Sequence, residues 1–227
     1  MNQRLEQALA LLREAAETFK PVALASSFSA EDMVLTDLID RHHLAISIFT
    51  LDTGRLPEET HRLMQAVRER YRAAIAVFAP EPADLEAYLA AHGPNGIYDS
   101  LALREECCRL RKLAPLRRAL AGKRAWITGQ RREQSPTRRA LAFRERDGET
   151  GLEKFNPLAD WSTDEVWAYI RANHVPYNAL YDQGYASIGC APCTRAIAAG
   201  EDLRAGRWWW EDPERRECGL HRRARAS

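Results

Sequence analysis

The sequence holds no apolar run near the roughly 20 residues a membrane helix needs, so no membrane span is expected. Its first 19 residues mix acidic with apolar side chains. They lack the apolar block and small-residue cleavage site of a secretory signal, and a cytoplasmic location follows as the expectation. Charge of one sign is not in excess. The 33 Lys+Arg and 32 Asp+Glu leave a formal net charge of +1, which gives no support to a general nucleic-acid binder. Local basic pairs, Arg131-Arg132 and Arg138-Arg139, are candidates for a small anion. The G-x-x-x-x-G-K phosphate loop is missing, as are internal repeats and low-complexity linkers. Cysteine is scarce and odd in number, at five, which argues against a disulfide framework.

What is present fits one soluble domain with a sizeable core: 227 residues, 45% hydrophobic and 29% charged. Residues 3–19 carry apolar positions at helical spacing, stopped by Pro21. Strands are expected over 21–28, 45–52, 73–80 and 124–130, each nearly continuous in apolar residues. Helices are expected over 31–43, 56–71, 84–92 and 99–121, the last with a break near Pro115. Strand–helix alternation of this kind builds a parallel sheet covered on both faces. Such sheets bind ligands beyond the carboxyl ends of their strands. Polar clusters sit at three of those ends: Ser26-Ser27-Phe28-Ser29, Asp52-Thr53-Gly54-Arg55 and Gly129-Gln130-Arg131-Arg132. Beyond residue 140 a hairpin is expected around Asp147-Gly148. A capping box at Ser162–Glu165 opens a helix to about Asn173, residues 175–195 are loop-rich, and a short helix lies beyond 196.

The turn SSFSAED (26–32) supports two readings, a phosphate cradle at a helix N-terminus or an ordinary serine N-cap. Cys107, Cys108, Cys190 and Cys193 support three: a four-thiolate metal site, redox pairs, or small buried apolar residues. Adjacent cysteines strain a tetrahedral zinc site, whereas an iron–sulfur cubane offers a separate iron to each sulfur. A [4Fe–4S] cluster is therefore favoured over zinc. Cys218 stands apart, beside His221 and four arginines, where a thiol ionises readily and becomes nucleophilic. Trp208-Trp209-Trp210 is read as packing, and Arg204 and Arg207 share one face if helical.

The cysteine pairs, CAPC at 190–193, ECGLH at 217–221, LDTGRLPEET at 51–60, TGQRREQSPTR at 128–138 and RAGRWWWE at 204–211 together resemble the assimilatory adenylyl-sulfate reductases of bacteria and plants. The resemblance spans about 22 to 221. It implies an α/β, three-layer, adenine-nucleotide α-hydrolase-like fold in a single domain over 1–227. Within it, about 20–140 would be the nucleotide-binding core, 141–210 a C-terminal lobe with half of the cluster ligands, and 211–227 a mobile tail. The family reduces adenosine 5′-phosphosulfate to sulfite and AMP, with thioredoxin or glutaredoxin as donor, and a homo-oligomer is expected. Carried onto this sequence, Cys218 is the nucleophile, and Lys112, Arg204, Arg207 and His221 meet the sulfate. Ser26, Ser27, Phe28, Ser29, Leu51, Asp52, Thr53, Gly54, Gly129 and Arg138 form the nucleotide site. Cys107, Cys108, Cys190 and Cys193 bind the cluster.

Two departures are visible. Ser135-Pro136-Thr137-Arg138 is one residue shorter than the family's usual S-P-G-T-R loop. The ATP-pyrophosphatase relatives carry S-G-G-x-D-S at the first loop. Here Phe28 is expected to crowd a pyrophosphate, and Glu31-Asp32 to repel one. The alternatives are a 3′-phosphoadenylyl-sulfate or dual-specificity reductase, an iron–sulfur tRNA-modifying or ATP-binding protein, and a thiol redox sensor.

Overall fold

A computed structural model describes residues 2–72, 74–135, 138–198 and 200–212. Helix α1 (Asn2–Thr18) leads into β1 (Val22–Ala25), α2 (Ala30–Arg41), β2 (Ser47–Leu51), α3 (Glu58–Arg70), β3 (Ile75–Phe78) and α4 (Pro82–His92). Then follow α5 (Leu101–Cys108), α6 (Ala114–Leu120), β4 (Ala125–Ile127), β5 (Arg144–Arg146), β6 (Glu153–Phe155) and α7 (Thr163–Ala172). The six strands form one sheet in the order β3-β2-β1-β4-β6-β5. All neighbours are parallel except the β5–β6 hairpin. The α/β parallel architecture expected from the alternation is present. The hairpin also does more than was read from the sequence, because its second strand extends the core sheet beside β4.

Three layers follow from the two-residue period of the strands. Val22, Leu24, Ile48, Ala125 and Ile127 face the core built by α1, α2, α3 and α7. Their neighbours Ala23, Phe49 and Trp126 face the opposite side, against Leu116, Ala119 and Leu120 of α6. Both faces are dry, which is why these strands read as continuous apolar runs. The strands are shorter than expected at their carboxyl ends: β1 stops at Ala25 and β4 at Ile127. The polar residues after them leave the ladder and become the turns that bear the site.

The long helix expected over 99–121 is divided. Ser100 caps α5, its hydroxyl accepting from the Leu103 amide at 3.2 Å. A single wide π-turn, Arg109–Leu113, then joins α5 to α6. Pro115 has no amide to donate, so the ordinary helical ladder cannot run through this point. The wider turn leaves Cys107, Cys108, Leu110, Arg111 and Lys112 all buried. Beyond residue 196 the expected short helix is absent from the described residues. Residues 203–206 form turns, and Arg207 bridges Thr194 as a single antiparallel pair. Among the described residues no helix is long and apolar enough to cross a membrane.

Candidate active site

The carboxyl ends of β1, β2 and β4 open into a cavity of about 260 Å³. Ser26, Ser27, Ser29, Leu51, Thr53, Gly129, Arg138, Lys112, Arg204 and Arg207 all line it, together with Cys190. Three segments far apart in sequence thus meet where the strand pattern placed them.

The first turn is built around Asp32. Its Oδ2 accepts from the Ser27 amide at 2.6 Å and the Ser27 hydroxyl at 2.7 Å. Ser29 is the N-cap of α2, its hydroxyl accepting from the Asp32 amide at 3.3 Å. The Ser26 hydroxyl accepts from the Phe28 amide at 3.2 Å, and the Tyr181 hydroxyl accepts from the Ala30 amide at 3.1 Å. The amides of 27, 28, 30 and 32 are therefore committed within the protein, and of the two readings of this turn the N-cap is the one seen. Burial is the main force that lifts Asp32 to about 6; the Ser27 hydrogen bonds oppose it, and neighbouring Glu31 adds to it.

Phe28 departs from expectation. Its φ is +59°, an unusual value for a residue with a Cβ, and its ring is buried in the main core rather than in the cavity wall. Crowding by Phe28 is thus not what separates this site from the ATP-pyrophosphatases. Repulsion by Glu31 fails too. Glu31 Oε1 accepts from Arg131 Nε and Gln134 Nε2, both at 2.9 Å, within a pair that excludes water. Arg131 also donates to Glu133 at 2.8 Å and the Trp161 carbonyl at 3.0 Å. Arg132 is held by Asp160 and the Leu141 carbonyl. The basic pair 131–132 is internally committed and offers no separate anion site. Arg138, by contrast, lines the cavity and donates to Gln134. Pro136 and Thr137 of the shortened loop lie outside the described residues.

Gly129 explains its own identity. A Cβ there would lie 2.5 Å from Asp32 Oδ1 and 2.8 Å from Glu31 Cβ. Only glycine lets the β4 turn press onto the start of α2.

The second turn couples the cavity to the cysteines. Asp52 Oδ1 accepts from the Gly54 amide at 2.8 Å, folding the turn, and Gly54 has φ +67°. Asp52 and Gly54 shape this turn without lining the cavity. Thr53 Oγ1 lies 3.2 Å from Cys190 Sγ, and the Thr53 carbonyl accepts from Arg111 at 2.6 Å. The Ala191 amide donates to the Arg55 carbonyl at 2.8 Å.

Cys107, Cys108, Cys190 and Cys193 are free thiols, all buried, and they line one small pocket with Arg55, Arg104, Arg111 and Lys112. Lys112 and Cys190 line both this pocket and the larger cavity. Burial pushes Cys107 up and lifts Cys193 to about 11, with Cys190 adding to both; Arg111 opposes the rise at Cys107, and Lys112 at Cys193. Among the described residues no three Cys, His or carboxylate side chains are arranged around a single metal ion.

Arg207 is packed as tightly as a charged group can be. A Cβ on Gly189 would lie 2.3 Å from its guanidinium. Its Nη1 donates to the Ile188 carbonyl at 3.2 Å, and its guanidinium stacks 4.7 Å from the Trp208 ring. Trp208 is fully buried beside the cysteines, so packing is its role, as expected. Sequence reasoning gave no role to several lining residues, among them Gln130, inside the TGQRREQSPTR segment, and Tyr181, which no motif marks. Cys218 and His221 lie outside the described residues.

Residues 21–196 match the family model for the phosphoadenosine phosphosulfate reductase domain. The chain is 58% identical over 216 residues to the adenosine 5′-phosphosulfate reductase of Allochromatium vinosum, covering 95% of this chain and 84% of that protein. It is 54% identical over 212 residues to the enzyme of that name from Neisseria meningitidis serogroup A, covering 93% and 87%. Among solved structures, phosphoadenylyl-sulfate reductase from Candida auris superposes with a TM-score of 0.73 at 28% identity, covering 86% of this chain and 94% of that one. FMN adenylyltransferase from Candida glabrata shares the fold alone, with a TM-score of 0.56 at 13% identity, covering 92% and 73%. The parallel sheet, the cavity at its carboxyl edge and these likenesses agree, and the chain belongs to the phosphoadenosine phosphosulfate reductase family.

Proposed function

We propose that this chain reduces adenosine 5′-phosphosulfate to sulfite and AMP. The observation that carries the reading is a cavity at the sheet's carboxyl edge. It is lined by Lys112, Arg138, Arg204 and Arg207 and is contiguous, through Lys112 and Cys190, with a pocket of four buried thiols. The names of relatives at 50–58% identity support the adenylyl substrate over the 3′-phosphorylated one.

The Cys218 thiolate attacks the sulfur of the phosphosulfate. The bond from that sulfur to the bridging oxygen breaks, and AMP leaves with the electron pair as a stable phosphate. The enzyme is left with an S-sulfocysteine. A thiolate of reduced thioredoxin or glutaredoxin then attacks the Cys218 sulfur and expels sulfite, and its second thiol resolves the mixed disulfide. The dithiol supplies the two electrons. Negative charge accumulates at the sulfonate as the first thiolate approaches, and cations must offset it. Lys112, Arg204, Arg207 and His221 carry that role. The walls at Ser26, Ser27, Ser29, Leu51, Thr53, Gly129 and Arg138 hold the nucleotide, while Phe28, Asp52 and Gly54 hold those walls in shape.

Cys107, Cys108, Cys190 and Cys193 would hold a [4Fe–4S] cluster, which supplies an electrostatic influence beside Lys112 and carries no electrons in this reaction. The donor set fits: four buried thiols share one pocket with three arginines and a lysine. Burial alone disfavours thiolates here, so ionised sulfurs need bound positive iron. We read residues 1–227 as one reductase domain acting in the cytoplasm as a homo-oligomer.

Intact mass tests the reading. Anaerobic protein mixed with adenosine 5′-phosphosulfate and no reductant should gain a sulfite-sized adduct, absent in Cys218→Ser and released by thioredoxin. No adduct on cluster-loaded wild type, or an equal adduct on Cys218→Ser, rejects it. The Candida auris relative favours one further comparison, the 3′-phosphorylated substrate. A faster adduct with that compound would reassign the specificity.

A further inference from the structure

Arg207 lines the cavity, and two separate supports place it. Its main chain lies against residues 193–195. It bridges Thr194, the Arg195 amide donates to the Gly206 carbonyl at 3.0 Å, and the Trp208 amide donates to the Cys193 carbonyl at 3.2 Å. Its guanidinium lies against residues 187–189. Nη1 donates to the Ile188 carbonyl at 3.2 Å and the Ser187 hydroxyl at 3.4 Å, and the group fills the space that a Cβ on Gly189 would need. Among the described residues no carboxylate pairs with this guanidinium. Uncharged neighbours, with the Trp208 ring 4.7 Å away, set its direction.

The two supports are the ends of one loop, and Thr194 closes it. The Gly189 amide donates to Thr194 Oγ1 at 3.1 Å, and that hydroxyl donates to the Cys190 carbonyl at 2.9 Å. Thr194 is only 6% exposed and lines neither the cavity nor the thiol pocket. A hydroxyl accepts and donates at once, which this closure requires. A methyl group in its place leaves an amide and a carbonyl without partners. We propose that Thr194 is a positioning residue whose hydroxyl keeps residues 187–189 in register with 193–195 and so directs the Arg207 guanidinium at the sulfonate. This rests on the reading of Arg207 as a sulfonate contact. Thr194 acts only through that cation, and a cation moved by a fraction of an ångström loses much of its effect.

Titration calorimetry on cluster-loaded Cys218→Ser protein, in which the substrate persists, tests this with adenosine 5′-phosphosulfate and with AMP. The ratio of the two affinities reads the sulfonate contacts, because damage to the nucleotide walls lowers both. Thr194→Val and Thr194→Ala should each lower that ratio about tenfold. Thr194→Ser keeps the hydroxyl and should keep the ratio. Arg207→Ala should lower the ratio by itself, and Thr194→Val added to it should lower it no further, the signature of a coupled pair. A ratio unchanged in a folded hydroxyl-free variant overturns the proposal. So does a Thr194→Ser ratio as low as that of Thr194→Ala, or a full further loss on top of Arg207→Ala. Valine and alanine differ in size, so a folding defect confined to one of them does not decide the outcome. An Arg207→Ala ratio equal to that of the unsubstituted cation would instead reject the sulfonate reading beneath it.

Discussion

Arg104 grips Glu211 through two hydrogen bonds of 2.8 Å, with side chains 1% and 9% exposed. Arg104 stands on α5, three residues before Cys107, lines the four-thiol pocket and stacks 5.0 Å from the Trp208 ring. Glu211 is next to the last described residue, Asp212. One buried pair therefore ties the segment around residue 211 to the cysteine pocket.

Glu211→Ala leaves the Arg104 charge buried without its carboxylate. Removal of one partner of such a pair costs about 3–5 kcal/mol. The melting temperature should fall by about 6–20 °C. Arg104→Met combined with Glu211→Leu should recover most of that loss, because desolvation of both charges is avoided. Calorimetry of the two variants checks this; equal damage in both would show that the pair is not the unit of stability.

Gly129→Ala forces a methyl group against the Asp32 carboxylate and Glu31. Overpacking of this kind costs about 1–3 kcal/mol. It moves the β4 turn away from α2, so AMP affinity should fall about tenfold or more, measured by titration calorimetry. Gly148→Ala, where a Cβ meets nothing within 4 Å and the backbone is not left-handed, is the control for a methyl group added outside the cavity.

Asp32 gives stability a pH dependence. Burial raises its folded pKa from 3.8 to about 6, so the folded state holds the proton more tightly than the unfolded chain. That contribution is fully present below about 3.8 and is lost as pH rises through about 6. The difference is worth about 3 kcal/mol. Asp32→Asn removes the titration. Denaturant melts at pH 4 and pH 7 should show the variant gaining on wild type by up to that amount at the higher pH. A difference that does not change with pH would contradict the argument.

Lys112 lies on the boundary between the thiol pocket and the substrate cavity. Lys112→Ala should slow sulfonation of Cys218 about a hundredfold, the scale of one lost electrostatic donor. It should leave iron content and the visible spectrum intact. Cys107→Ser should do the reverse first, abolishing the visible spectrum. Quenched-flow mass spectrometry and iron analysis separate the two; unchanged kinetics in Lys112→Ala would remove the lysine from the chemistry.

Gly189→Ala pushes on the Arg207 guanidinium, which stands where the new methyl would sit. Sulfonation should slow by about tenfold or more, since a small displacement of a positioned cation is costly. Rapid mixing with the phosphosulfate checks this.

The sequence by itself determined the sheet and where its edge would bear a site. Apolar strands such as Ser47–Leu51 and Ala125–Ile127 lie within the continuous runs that a strand buried on both faces must have, and the polar residues that follow them can only lie at the carboxyl end. The cysteine spacing was legible for a similar reason, since two short local pairs need only one encounter to make a four-sulfur pocket. Side-chain partners across the fold were not legible. Nothing local says that Phe28 turns its ring into the core at φ +59°, that Arg131 is spent on Glu31 100 residues away, or that Arg204 lies on a turn and Arg207 on a bridge to Thr194 rather than on a helix. Nor does any pattern say that the Gln130 side-chain carbonyl is buried without a partner among the described residues. Periodicity reports which face of an element is dry, whereas charge pairing and hydrogen-bond satisfaction depend on distances between segments, and only the tertiary structure sets those.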